Sequence, residues 1–92
     1  MFEIHSKTDC PWCERAVNYF IAHDLPYTET KYDDDTVRQA LYNRLNLVGT
    51  QRTVPQIFFT QGNITEYIGG YSNLIRSNFI DRLQMETFDA EF

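Results

Sequence analysis

Cysteine is scarce in this chain: its 92 residues contain two, Cys10 and Cys13, and there is no second pair. A four-thiolate zinc site is therefore out of reach. Long apolar runs are absent, so no stretch reads as a membrane span. Basic residues are outnumbered, with 8 Lys and Arg against 13 Asp and Glu and a formal net charge of -5. Nucleic acid, which needs a basic face, is not an expected partner. Met1 to His5 lacks the basic start and apolar stretch of a signal peptide, which makes a cytoplasmic location with reduced thiols the expectation. Repeats, linkers and low-complexity stretches are also missing. One domain over residues 1–92 is expected, with a modest core that needs no disulfide staples and a tail at 84–92 that is helical or frayed.

What the chain does contain has a clear order. Phe2 to Ser6 alternates as a short strand and runs into a loop at Lys7 to Asp9. Cys10-Pro11-Trp12-Cys13 follows, with Pro11 suited to the first helical position, where a missing N–H costs nothing. Ala16, Val17, Phe20 and Ile21 recur at helical spacing up to about His23, and Asp24-Leu25-Pro26 ends the helix. Tyr27 to Tyr32, rich in Thr and Tyr, reads as a second strand. The strand-helix-strand order suggests a parallel crossover. Asp33-Asp34-Asp35 then serves helix capping better than metal binding, ahead of a second helix patterned on Val37, Ala40, Leu41, Arg44 and Leu45. Val54 to Phe59 is an apolar strand with Pro55 among its first residues, Gln61-Gly62-Asn63 a hairpin turn, and Ile64 to Ile68 the return strand. After Gly69-Gly70, Ser72 or a neighbour caps a third helix in which Ile75, Phe79 and Leu83 repeat. The sum is β-α-β-α-β-β-α: a four-stranded mixed sheet flanked by at least three helices, a thioredoxin-like arrangement.

The two cysteines form either a dithiol that cycles to a disulfide or half of a metal site, and their isolation favours redox chemistry. His5, in a strand, and His23, at a helix end, do not have the spacing to share a zinc site with them. The thiolate is the reacting form. Cys10 at the helix start can point its sulfur at unpaired backbone N–H groups and the positive end of the helix dipole, with Lys7 nearby. Cys13, one turn on, is expected to be the more buried, so Cys10 is assigned as attacker and Cys13 as resolver. Asp9 opposes the effect by placing a negative charge beside the nucleophile. Trp12 is expected at the helix tip, partly exposed, as a docking surface or as packing. Arg52 either holds a ligand carboxylate or faces solvent. Lys7, Arg15 and Arg52 give an acidic protein a locally basic rim, which suits a small anionic ligand.

Three motifs in order, Lys7-Thr8-Asp9-Cys10-Pro11-Trp12-Cys13, Thr53-Val54-Pro55 and Gly69-Gly70-Tyr71-Ser72-Asn73, resemble those of a dithiol glutaredoxin over roughly residues 2–83. The resemblance implies no permanent cofactor, glutathione as co-substrate, and a cis Pro55 beside the thiols. It further implies that the Val54 backbone pairs with the cysteinyl part of glutathione and that Lys7, helped by Arg38 or Gln39, meets the glycyl carboxylate. Gly70 would allow close approach, and Ser72 and Asn73 would take the γ-glutamyl carboxylate. With Trp12, Arg52, Thr53 and Tyr71, these residues make up the expected groove. Asn73 stands where an aspartate is frequent in the family, and Tyr71 where a cysteine often is; Tyr71 either stacks over the site or fills the groove beneath Trp12. The implied activity is reduction of glutathionylated proteins, small mixed disulfides and protein disulfides, ribonucleotide reductase among them, by a monomer. Two alternatives stand beside it: a thioredoxin-type donor reduced by a flavoenzyme, and a non-enzymatic carrier of an iron–sulfur cluster.

Overall fold

The computed structural model describes residues 1–77. Its elements are β1 (Phe2–Ser6), α1 (Pro11–Ala22), β2 (Tyr27–Lys31), α2 (Asp35–Arg44), a 3-10 turn (Gly49–Gln51), β3 (Gln56–Gln61), β4 (Ile64–Gly69) and α3 (Tyr71–Arg76). The expected Phe79 and Leu83 positions of the third helix, and the tail, lie outside the described residues. The strands form one mixed sheet in the order β2-β1-β3-β4. β1 pairs in parallel with β2 and antiparallel with β3, and β3 is antiparallel to β4. This is the arrangement expected from the order of the elements.

The period-two alternation of β1 gives its two faces different tasks. Phe2 and Ile4 point to one side, where they join Ala16, Phe20, Ile57 and Leu74 in the core. The Phe2 ring stacks on Phe20 at 4.7 Å and tilts against Phe59 at 4.8 Å. Glu3 and His5 point to the other side, where they share a cleft with Leu41 and Arg44 of α2 and with Leu45 at its C-cap. His5 is buried and held by the Tyr32 hydroxyl at 2.8 Å and by Glu3 at 3.0 Å. Burial lowers its pKa by disfavouring the charged ring, against the pull of Glu3.

Four expectations shift in detail. In α1 the inward face is Cys13, Ala16 and Phe20, while Ile21 is exposed because it lies about 100° around the helix from Phe20. In α2 the inward residues are Leu41, Tyr42 and Leu45 with the half-buried Arg38 and Gln39, whereas Val37, Ala40 and Arg44 are exposed. Apolar spacing misses this rotation because hydrogen bonds, given below, turn Arg38 and Gln39 inward. β3 begins at Gln56 rather than Val54, since Pro55 brings no N–H to the ladder. In α3 the buried position is Leu74, not Ile75, and the helix is capped by Gly70, whose N–H donates to Asn73 Oδ1 at 3.1 Å. Where β4 reaches α3, Ile57 pairs with Gly69 but Phe58 pairs with Tyr67, which leaves Ile68 as a bulge.

Candidate functional site

The site lies at the end of the sheet where β1 stops and β3 starts. Cys10 is the N-cap of α1, and its sulfur accepts the Cys13 backbone N–H at 3.3 Å, while its carbonyl takes the first helical bond from Glu14 at 3.0 Å. The sulfur thus occupies the place of a capping oxygen, where the helix offers partial positive charge. Cys10 and Cys13 are joined as a disulfide with Cα atoms 5.2 Å apart. Both are buried, at 4% and 2% exposure, so burial separates them less than expected. What separates them is access. Cys10 lines a cleft of about 420 Å³ with Lys7, Trp12, Arg38, Gln39 and Val54, whereas Cys13 lines a second cleft toward Val17 and Glu29.

The opposite wall of the first cleft comes from the segment before β3. The Val54–Pro55 peptide is cis, and the Val54 carbonyl lies 3.7 Å from the Cys10 sulfur. Arg52 and Thr53 also line the cleft. Arg52 is neither a free ligand-binding group nor a solvated one: it donates to the Leu47 carbonyl at 2.9 Å, to Gln39 Oε1 at 2.6 Å and to Asn43 Oδ1 at 2.6 Å. It ties the segment to α2. Arg38 is similarly engaged, donating to the Tyr32 and Asp33 carbonyls and to Asp35. Among the cleft's cations, Lys7 is exposed.

Trp12 is 51% exposed at the rim. The Arg15 guanidinium lies 4.5 Å over its ring, and Tyr71 packs against it in a tilted geometry at 5.8 Å. Gly70 comes close to Pro55, since a Cβ there would sit 3.7 Å from the Pro55 carbonyl oxygen. Gly70 and Tyr71 therefore adjoin the site, but Gly70, Tyr71, Ser72 and Asn73 are not among the residues that line the cleft. Ser72 and Asn73 are exposed, and the Asn73 side-chain Oδ1 is taken by the Gly70 N–H at the helix cap.

The sequence reading missed Asp33 and Gln56. Within the acidic triplet, Asp34 caps α2 by accepting the Thr36 N–H at 2.8 Å, as expected of the triplet. Asp33 does something else: it accepts both the Thr8 N–H at 2.7 Å and the Thr8 hydroxyl at 2.8 Å, fixing the loop before Cys10. Those two bonds hold its carboxyl below the ordinary pKa. The signal was available. β1 and β2 pair with a constant offset of 25, from Phe2 opposite Tyr27 to Ser6 opposite Lys31, and the same offset sets Thr8 against Asp33.

A family model described as Glutaredoxin matches residues 2–64. The chain belongs to the glutaredoxin family. Glutaredoxin-2 of Schizosaccharomyces pombe is 32% identical over 71 residues, which is 77% of this chain and 61% of that protein. Among solved structures, glutaredoxin 1 from Francisella tularensis, complexed with cacodylate, superposes with a TM-score of 0.71 at 28% identity, covering 90% of this chain and 95% of that one. A buckwheat glutaredoxin–glutathione complex gives 0.66 at 26% identity, with 89% and 71% covered. The fold and the C-x-x-C spacing are those of this family of thioredoxin-like proteins.

Proposed function

We propose that this glutaredoxin is a glutathione-dependent thiol–disulfide oxidoreductase, with Cys10 as nucleophile and Cys13 as resolver. The observation that carries the reading is the Cys10 sulfur itself, which caps α1, receives a backbone N–H and lines a cleft whose far wall is the Val54 segment. When the disulfide is reduced, the attacking species is the thiolate form of this sulfur, which the helix terminus favours. It attacks the glutathionyl sulfur of a mixed disulfide; the Cys10–glutathione bond forms, the substrate sulfur leaves with the electron pair and takes a proton from solvent. A glutathione thiolate then attacks the glutathionyl sulfur, releasing oxidised glutathione and the Cys10 thiolate. On protein disulfides Cys13 displaces the substrate from Cys10, and two glutathione molecules reduce the resulting disulfide.

The bound glutathione of the buckwheat relative supports a tripeptide ligand here. In this reading Lys7 and Gln39 meet the glycyl carboxylate, the Val54 backbone pairs with the cysteinyl part, and Trp12, Tyr71 and the Gly70 to Asn73 turn border the γ-glutamyl end. Arg38 and Arg52, committed to the protein's own carbonyls and amides, shape the wall instead. We assign it protein disulfides such as that of ribonucleotide reductase as clients, and a monomer in the cytoplasm as its working form.

The test is glutathione-dependent turnover of a small mixed disulfide, coupled to glutathione reductase, for wild type, Cys10→Ser and Cys13→Ser. Wild type and Cys13→Ser turn over, and Cys10→Ser does not. Turnover only with a thioredoxin reductase as electron source would sink the glutathione assignment, and visible absorption after anaerobic purification would instead mark a cluster carrier.

A further inference from the structure

We propose that Gln56 and Tyr67 are positioning residues of the site: together they fix the Thr53–Val54 segment against the Cys10 sulfur. The assignment of Val54 as a ligand-pairing segment rests on the function proposed above, but the clamp itself rests on geometry.

Gln56 is the first residue of β3 and is 3% exposed. Its Nε2 donates to the Thr53 carbonyl at 2.7 Å, closing the turn that contains Val54 and Pro55. Its Oε1 accepts the hydroxyl of Tyr67 on β4. The Thr53 carbonyl can only accept, so the orientation of the carboxamide is dictated: the NH2 faces Thr53 and the oxygen must be met by a donor. Tyr67, half-exposed on β4, supplies that donor, since a phenol is protonated at neutral pH and partial burial moves its pKa further up. The Tyr67 ring is set in place by Phe58, opposite it in the ladder and 5.2 Å away between centroids.

A chain of contacts therefore runs from β4 through Gln56 to the wall of the cleft. Without the Tyr67 hydroxyl the buried Gln56 oxygen has lost its donor, and the carboxamide is free to rotate away from Thr53. Thr53 would then be released at the one turn that brings the Val54 carbonyl to 3.7 Å from the nucleophile. α1, the source of the sulfur's N–H bond, is not touched by this change, so the effect should fall on holding the ligand rather than on the reactivity of the thiol.

Tyr67→Phe keeps the ring and removes one hydroxyl; Gln56→Met keeps the volume and removes both polar ends. Two measurements decide the matter. In the glutathione-dependent assay the KM for a glutathionylated peptide should rise about five-fold in Tyr67→Phe while kcat stays within about two-fold. In NMR spectra of the free protein the Thr53 carbonyl carbon should shift in both variants, in the direction of a lost hydrogen bond. A Thr53 carbonyl that does not move, or an unchanged KM, overturns the proposal, and equal losses in kcat and kcat/KM would show that the pair acts on the chemistry instead. If wild type itself makes no use of glutathione, the function proposed above fails, while the carbonyl shift still decides whether the clamp exists.

Discussion

Asp9 has φ 57°, a left-handed conformation that Asp and Asn tolerate and β-branched residues resist. Its charge and its backbone can therefore be separated by choice of substitution. Asp9→Asn should fold like wild type and, once reduced, react faster with iodoacetamide at neutral pH, because a negative charge beside the Cys10 thiolate is gone. Asp9→Thr should lose about 1–2 kcal/mol of stability from backbone strain alone, measured by urea denaturation. Any rate change seen only in the threonine variant is a strain effect. Asp33 offers a second case at this scale. Its carboxyl is held below the ordinary value of 3.8 by the two Thr8 bonds, so the stabilisation it gives is fully present above that value and is lost as pH falls through the lower, folded one. Asp33→Asn should accordingly be less stable than wild type near pH 6, and the difference between the two urea midpoints should shrink below pH 3.8. A difference of equal size at pH 3 and pH 6 would mean that the charge on Asp33 is not what holds Thr8.

At the level of elements, the junction of β4 and α3 separates two glycines that look alike in sequence. Gly69 has φ 110°, and a Cβ there would meet Asn73 Oδ1 at 2.8 Å, so Gly69→Ala should destabilise the protein by about 1–3 kcal/mol. Gly70 has an extended backbone, and the nearest atom to its Cβ is an ordinary 3.7 Å away. Gly70→Ala should cost only the weaker N-cap, a melting shift of about a few degrees and smaller than that of Gly69→Ala, yet show a several-fold higher KM for a glutathionylated substrate, since its open face is the one turned to the ligand in the proposed reading. Equal changes in melting temperature for both variants would contradict this division. The same junction shows where reading by pattern stops. Gly69-Gly70 marked the approach to a third helix capped by Ser72 or a neighbour, but the bulge at Ile68 depends on how β4 meets β3, which periodicity along one strand does not contain. In α2, likewise, the apolar pattern pointed Val37 and Ala40 inward, while the structure is rotated by polar side chains whose partners lie on other elements.

Across the whole molecule, what was legible in the sequence was local or parallel in register. The cysteine motif, with proline after the first thiol, marks a helix start on its own, and the alternation of β1 and the apolar run of β3 give the sheet. The role of Arg52 was not legible, because Leu47, Gln39 and Asn43 reach it from three points along the chain that only the fold brings together. Nor was that of Gln56, whose partner Tyr67 sits across a hairpin.

That hairpin is also the far end of the sheet. β3 leaves the site at Gln56 and reaches Gln61, and β4 returns from Ile64 to Gly69, so the Gly62 turn stands at the opposite end of the sheet from the thiols, with no atom of the described residues beyond its chain neighbours within 4 Å of where a Cβ on Gly62 would sit. A short flexible insertion after Gly62 should leave glutathione-dependent turnover within about two-fold of wild type and shift the denaturation midpoint only slightly. A larger loss of turnover would mean that the two ends of the sheet communicate. Otherwise the turn is an anchorage: a dye, a resin or a second protein could be fastened there, and the cleft that Cys10 lines would stay open at the other end, ready for whatever disulfide comes by.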